Sequence, residues 1–221
     1  SRLPTLMARL RSRSFVLAKR TSSSLVPTHT RPVPSRVTMP ILLHHIHAAA
    51  PEARVRILVA TGMHRPSTHE ELVNKYGEEI VANEEIVMHV ATDDSMMKKI
   101  GTLPSGGECI INKIAADCDL LLAEGFIEPH FFAGFSGSRK SVLPGIASYK
   151  TIMYNHNGQF VNDSHSRAGN LCHNHVSEDM FAAAEMAHLA FVLNVVLNGK
   201  HEVIGSFAGD IHKAHGAGCD S

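Results

Sequence analysis

The chain has 221 residues, 44% of them hydrophobic, and its 21 lysine and arginine residues balance 21 aspartate and glutamate residues. This length suffices for one substantial core, and the balanced charge gives no reason to expect a nucleic-acid partner. No apolar run approaches the roughly 20 residues of a membrane-spanning helix, so no membrane segment is expected either.

The cysteines and histidines limit the possible chemistry. Cys109, Cys118, Cys172 and Cys219 form no paired motif, which predicts neither a disulfide framework nor a thiolate zinc site. Their pattern favours a reducing, cytoplasmic compartment. The 16 histidines suggest metal binding or proton transfer, although the HExxH motif of zinc peptidases is missing.

The beginning of the chain is basic, with no acidic residue before Glu52. Residues 1–27 are rich in arginine and serine, a composition typical of a transit peptide. A disordered basic leader or an out-of-frame start explains the same composition, because no amphipathic period is evident. We expect residues 1–27 to be an atypical, disordered leader and residues 28–221 to form the folded domain.

Helices and strands are then predicted in alternation. Met39–Ala50 has helical spacing, and Val55–Ala60 is a short β-branched run. Ser67 to Glu70 has the spacing of a capping box, before a helix that ends near Gly77.

The second half continues this alternation and ends in a hairpin. Strands are predicted at Glu85–Val90, Glu108–Asn112 and Asp119–Gly125, and a helix capped by Ser177 at Glu178–His188. Phe191–Leu197 and His201–Ala208 flank Asn198-Gly199, which suits a two-residue hairpin turn. The expected fold is α/β, a mainly parallel sheet flanked by helices with a β-hairpin near the carboxyl end.

Two loops that directly follow predicted strands each carry a histidine, His64 and His130. Ligands of open α/β sheets bind at the carboxyl edge of the strands. A single histidine there is more often structural, but two at one edge are candidates for acid–base catalysis. Two bases that face a substrate from opposite sides suit an enzyme that handles both enantiomers.

The segment from Gly125 to Gly145 combines His130 with aromatic rings, small residues and an Arg-Lys pair. Its glycines and serines allow close backbone approach, and successive amides can cradle a phosphate, although the spacing is not that of a Walker A loop. Lys140 is either a phosphate counter-charge or a covalent attachment point. A glycine-rich turn with a solvated Arg-Lys pair is an equal alternative.

The remaining histidines carry weaker signals. His156 lies between Asn155 and Asn157, and a single histidine more often has a structural role than a metal-binding one. The other histidine clusters are expected on the surface; they include His44 to His47, His173 with His175, and His212 with His215.

Together these segments resemble the lactate racemase family that uses a nickel-pincer nucleotide. The matching segments are Thr30–Pro34, Ala60–Thr68, Gly125–Gly145, Asn155–Asn157, Phe191–Asn198 and Phe207–Asp210. Their order and spacing agree with the family over about residues 28 to 220, and the long central segment is specific.

The resemblance implies a role for each matching residue. His64 and His130 match the two catalytic histidines that take and return the hydroxyl proton of a small 2-hydroxy acid. Lys140 matches the lysine that tethers the nickel-pincer nucleotide, and His156 matches the nickel ligand. The implied contacts to the cofactor phosphate are Arg31, Gly134, Ser136 and Gly137. The implied reaction moves a hydride from the hydroxyl-bearing carbon to the cofactor and returns it to either face.

Three departures from the family pattern leave several functions open. Thr28 stands where an acidic residue is usual, Ser138 replaces a usual glycine, and the chain stops at Ser221 where the family continues into a second domain. The resemblance therefore implies an amino-terminal, cofactor-carrying domain without its second domain. The open functions are a racemase or epimerase, a truncated non-catalytic cofactor-binding domain, and a metal-dependent hydrolase built on the histidines.

Overall fold

The computed structural model describes residues 34–221 and the backbone of residues 15–20. The strands are β1 Phe15–Arg20, β2 Val55–Ala60, β3 Glu85–Met88, β4 Met97–Thr102, β5 Glu108–Asn112, β6 Leu120–Phe126, β7 Pro129–His130, β8 Gly134–Phe135, β9 Leu189–Leu197 and β10 Val203–Gly209. The α-helices are α1 Ser35–Ala49, α2 His69–Tyr76, α3 Glu78–Asn83, α4 Lys113–Ala116, α5 Tyr149–Asn155, α6 Gly158–Val161, α7 His175–Met186 and α8 Ile211–Cys219. Short 3₁₀ turns occupy Asp94–Met96 and Ser138–Ser141.

Six of the described strands form one sheet in the order β10-β9-β6-β1-β2-β3, and the others pair in two small sheets, β4 with β5 and β7 with β8. Strands β9, β6, β1, β2 and β3 are parallel, and β10 pairs antiparallel to β9 as the second arm of a hairpin. The expected α/β fold, with a mainly parallel sheet and a hairpin near the carboxyl end, is confirmed.

Strand β1 corrects the expectation of a disordered leader for residues 15–20. Its backbone pairs with β2 on one side and with β6 on the other, so its hydrogen-bonding groups are satisfied at the centre of the sheet. The leader is rich in arginine and serine, but it also contains the apolar run Phe15-Val-Leu-Ala18, which suits a strand. The rest of the expected leader lies outside the described residues.

The two faces of the sheet carry different layers, because side chains alternate along each strand. Leu120 and Leu122 of β6 pack with α1, which contributes Met39, Leu42 and Ile46. The neighbouring positions of β6 face the opposite core, which contains α7 and the segment from 142 to 147. Both layers exclude water from the strands and leave the loops at the strand ends available for function.

Two helix caps and the hairpin loop differ from the predictions. The capping box of α2 is formed by Thr68 and Glu71, one residue later than predicted. Helix α7 is capped by Asn174, whose side chain accepts from the Ser177 amide, so Ser177 is not its cap. The hairpin loop covers residues 198–202, because the Asn198 side chain accepts from the amides of residues 200 and 202. It is therefore longer than a two-residue turn.

Candidate active site

Two loops meet at the carboxyl edge of the sheet. Strands β2 and β6 are both parallel to β1, so their carboxyl ends share one edge. His64 and His130 follow these ends, and their expected location at one edge is confirmed. The first loop is held to the end of the second, because the Gly62 amide donates to the Gly145 carbonyl oxygen at 2.8 Å.

The ring of Phe132 is the common neighbour of three predicted site residues. Its centroid lies 4.6 Å from the His130 ring and 5.1 Å from the His156 ring, both in edge-to-face geometry. The Lys140 Nζ atom lies 5.8 Å from the same centroid, within the range of a cation–π contact. The structure therefore brings His130, Lys140 and His156 together from separate segments of the chain.

Aromatic contacts and one backbone hydrogen bond orient His130. The imidazole stacks on Phe131, with 4.7 Å between ring centroids and an interplanar angle of 16°. The Ala133 amide donates to Nδ1 of His130 at 3.3 Å, so the neutral ring carries its proton on Nε2. The ring is half-buried, while Phe131 remains 74% exposed beside it.

Lys140 is buried, which excludes a solvated Arg-Lys pair. Lys140 and Arg139 are 1% and 2% exposed and belong to the 3₁₀ turn Ser138–Ser141. This turn is attached to β9, because the Ser138 amide and hydroxyl both donate to Asn194 Oδ1, at 2.9 and 2.6 Å. Ser138 thus supplies a side-chain bond that a glycine at this position would lack.

The predicted phosphate-binding residues make contacts within the protein. Gly134 has a φ of 74°, and a Cβ there would lie 2.3 Å from the Asn170 carbonyl oxygen. Gly137 has a φ of 127°, and a Cβ there would lie 2.6 Å from the ring of His215. The Ser136 hydroxyl donates to the Phe126 carbonyl oxygen and accepts from the Glu128 amide, each at 2.9 Å. All three residues shape the loop, and their contact with a phosphate stays a prediction.

His215 corrects the expectation that it lies on the surface, since it is only 2% exposed. It belongs to α8, and its ring lies against the loop at Ser136 and against Arg139. Burial, followed by the charge of Arg139, lowers the pKa of His215 to about 3. The imidazole is therefore neutral at physiological pH.

His156 directly follows α5, the helix that comes after Pro144-Gly145. It is half-buried, and its Nδ1 atom is fully buried. The preceding Asn155 side chain donates to the Val176 carbonyl oxygen at 3.3 Å and to Asp179 Oδ2 at 3.2 Å. These bonds attach the end of α5 to α7 and so hold the backbone that carries His156.

His89 is a buried residue of this region that the sequence did not reveal. It is 0% exposed, its Nε2–H donates to the Ala147 carbonyl oxygen at 3.0 Å, and its Nδ1 accepts from the side-chain amide of Asn112 at 3.3 Å. Burial lowers the pKa of His89 to about 4, although the bond to Ala147 opposes the shift. The neutral ring thus joins the end of β3 to the segment that leads into α5.

Arg31, the fourth residue expected at the cofactor phosphate, lies outside the described residues. Among the described residues, no group of three His, Cys, Asp or Glu side chains is placed to hold a metal ion. The part of the chain that the structure describes also contains no helix long and apolar enough to cross a membrane. All four cysteines are free thiols.

Comparisons with known proteins identify relatives that match most of this chain. A lactate racemase of Lactiplantibacillus plantarum is 69% identical over 192 residues, which cover 87% of this chain and 45% of that relative. A lactate racemase of Thermoanaerobacterium thermosaccharolyticum is 53% identical over the same shares of both chains. The chain therefore spans about half the length of the curated relatives it matches.

Solved structures support the same relationship. The lactate racemase apoprotein from Thermoanaerobacterium thermosaccharolyticum superposes with a TM-score of 0.91 at 47% identity, over 98% of this chain and 50% of that one. A protein from Thermotoga maritima superposes with a TM-score of 0.74 at 19% identity, over 99% of this chain and 57% of that one, and shows a likeness of fold alone.

The family assignment rests on most of the chain. A family model described as the lactate racemase N-terminal domain matches residues 6–169, a match that begins inside the expected leader and contains His64, His130, Lys140 and His156. With two relatives at 69% and 53% identity, this match shows that the chain belongs to the lactate racemase N-terminal domain family.

Proposed function

We propose that this chain is the cofactor-carrying part of a racemase or epimerase that acts on a small, lactate-like 2-hydroxy acid. The observation that carries the proposal is the convergence of His130, Lys140 and His156 on the ring of Phe132. A buried lysine and two imidazoles from separate segments, gathered at the ligand-binding edge of a parallel sheet, form a set that packing alone does not require.

The residues present fit a nickel-pincer nucleotide. An imidazole such as that of His156 is a suitable nickel ligand, and the buried Nζ of Lys140 stands near it beside the same aromatic ring. When bound, this cofactor would supply the hydride acceptor. Lys140 would hold it covalently, His156 would complete the coordination of its nickel, and Arg31, Gly134, Ser136 and Gly137 would lie at its phosphate.

We assign proton transfer to His64 and His130. Both are half-buried and come from loops after parallel strands, so they can approach a substrate from two directions. Imidazole titrates near neutral pH and can both take and return the hydroxyl proton. The rings of Phe131 and Phe132 cover the His130 side and limit the access of water to it.

A non-catalytic, cofactor-binding role is the second candidate, because the chain covers 45% of its curated relatives. In that case the substrate contacts and the closure of the site depend on a second domain. Racemase activity measured with and without the half of a relative that this chain does not match separates the two candidates. In both cases we propose a cytoplasmic protein, consistent with its free thiols.

The cofactor assignment is tested with Lys140→Ala, using the chain isolated from cells that make the nickel-pincer nucleotide. Mass spectrometry under denaturing conditions should detect the cofactor on the unmodified chain and on Lys150→Ala, which removes an exposed lysine of α5. Lys140→Ala should lack it while its circular dichroism spectrum is unchanged. Retention of a covalently attached cofactor by Lys140→Ala would refute the assignment.

Separate variants test the metal and proton-transfer roles. His156→Ala should lower nickel content with the fold intact. His64→Ala and His130→Ala should retain cofactor and nickel but stop turnover in the presence of the second domain. If His156→Ala keeps its full nickel content, His156 is not the metal ligand.

A further inference from the structure

Arg139 gathers the carbonyl groups of the loop that separates His130 from Lys140. Its guanidinium donates to the carbonyl oxygen of Ala133 at 3.3 Å, of Phe135 at 2.9 Å and of Ser136 at 2.9 Å. One acceptor, Phe135, lies in the short strand β8, and the other two lie directly before and after that strand. The loop therefore folds around the guanidinium of Arg139, a residue at the carboxyl end of the same loop.

The same guanidinium attaches the loop to two helices. It donates to the Ser177 hydroxyl at 3.3 Å and lies 4.5 Å from the ring centroid of Phe181, both on α7. It also contacts His215 of α8, whose neutral ring a buried cation tolerates. Arg139 is thus the point where the loop, α7 and α8 meet.

We propose that Arg139 is a positioning residue that sets where His130 and Lys140 stand, acting through the loop carbonyls. The inference rests on the proposed function only for the roles of those two residues. A guanidinium offers five donors in a rigid plane, so it can reach several carbonyl oxygens and a ring face at once. A lysine ammonium carries the same charge at a single atom and cannot span these acceptors.

The solvent exposure of the Lys140 amine indicates whether the loop keeps its structure. It can be measured when neither cofactor nor substrate is present. In the chain, Lys140 is 1% exposed, so its amine should react slowly with acetic anhydride under native conditions. Peptide fragmentation in a mass spectrometer locates the acetyl groups and separates positions 139 and 140. Lys98, an exposed lysine on β4, serves as the internal reference.

Arg139→Lys should acetylate at Lys140 about tenfold faster than the unmodified chain, because the loop opens while Lys98 reacts unchanged. Arg54→Lys, a change at an exposed ion pair, is the matched control and should leave Lys140 protected. In Arg139→Ala, methylguanidinium at low millimolar concentration should restore the protection of Lys140. This rescue is specific, since guanidinium compounds otherwise destabilise proteins.

Unchanged acetylation of Lys140 in Arg139→Lys, or no protection of Arg139→Ala by methylguanidinium, would overturn the proposal. If Arg139→Lys does not fold, Ser177→Ala and Phe181→Leu take its place, since each removes one contact of the guanidinium. The proposal would also be overturned if Lys140 in both variants were as protected from acetylation as in the unmodified chain. Because no cofactor is used, these results are independent of whether Lys140→Ala retains a cofactor.

Discussion

Removal of the buried His89 imidazole should change how the stability of the fold depends on pH. Burial lowers the pKa of His89 from 6.5 to about 4, so the folded state favours the neutral ring. The unfolded chain takes up this proton at higher pH, and stability from His89 is therefore fully present above pH 6.5 and is lost as the pH falls towards 4. At about 1.4 kcal/mol per pH unit, the loss is about 3 kcal/mol.

The assay is urea unfolding at a series of pH values, with His89→Gln compared with the unmodified chain. The glutamine amide can still donate to Ala147 but does not titrate, so the variant should lose less free energy of unfolding between pH 6.5 and 4 than the unmodified chain. His45→Gln removes an exposed imidazole of α1 and should run parallel to the unmodified chain. Parallel curves for His89→Gln and the unmodified chain would contradict the burial argument.

Three further predictions concern packing and the site. Gly137→Ala should lower the free energy of unfolding in urea by about 2 kcal/mol or more, since its φ is 127° and a Cβ would lie 2.6 Å from the His215 ring. Gly199→Ala is the control and should have little effect in the same assay, because the space around Gly199 is open. Phe132→Leu should reduce nickel retention more than Phe131→Leu, because only the first ring contacts His156, and equal losses in metal analysis would contradict this. Asp179→Ala should cost about 3 kcal/mol in thermal or urea unfolding, because this 0% exposed carboxylate accepts three hydrogen bonds; a cost within the error of the measurement would show that they contribute little.

The strand predictions succeeded where apolar runs were short and bounded. Val55–Ala60 and Glu108–Asn112 are observed with the predicted bounds, because β-branched and aliphatic residues between polar turns have few alternatives to a buried strand. The prediction failed at residues 15–20, because the pairing that makes β1 a strand joins it to β2 and β6, far along the chain. Composition near the start contains no information about those partners.

The candidate site was partly visible in the sequence. His64 and His130 follow predicted strands, so their common edge follows from the parallel arrangement of the sheet. Two features were not visible: the contact of Phe132 with several site residues, and the hydrogen bonds of the buried Arg139 to the loop carbonyls. Both depend on distances between segments that no local pattern encodes. The burial of His215 has the same origin, because α8 packs against a loop whose residues lie 76 to 79 positions earlier.

The sequence by itself determined the alternation of strands and helices, the family resemblance, and the residue types that the site contains, because these depend on local periodicity and on motifs. Only the tertiary structure decided which of these residues meet and which are buried. The sequence left open whether Arg139 and Lys140 are solvated. The structure places both in the interior, where aromatic rings and carbonyl oxygens surround them. The physical reason is that burial and hydrogen bonding of a charged group are properties of its surroundings, which form only when the chain is folded.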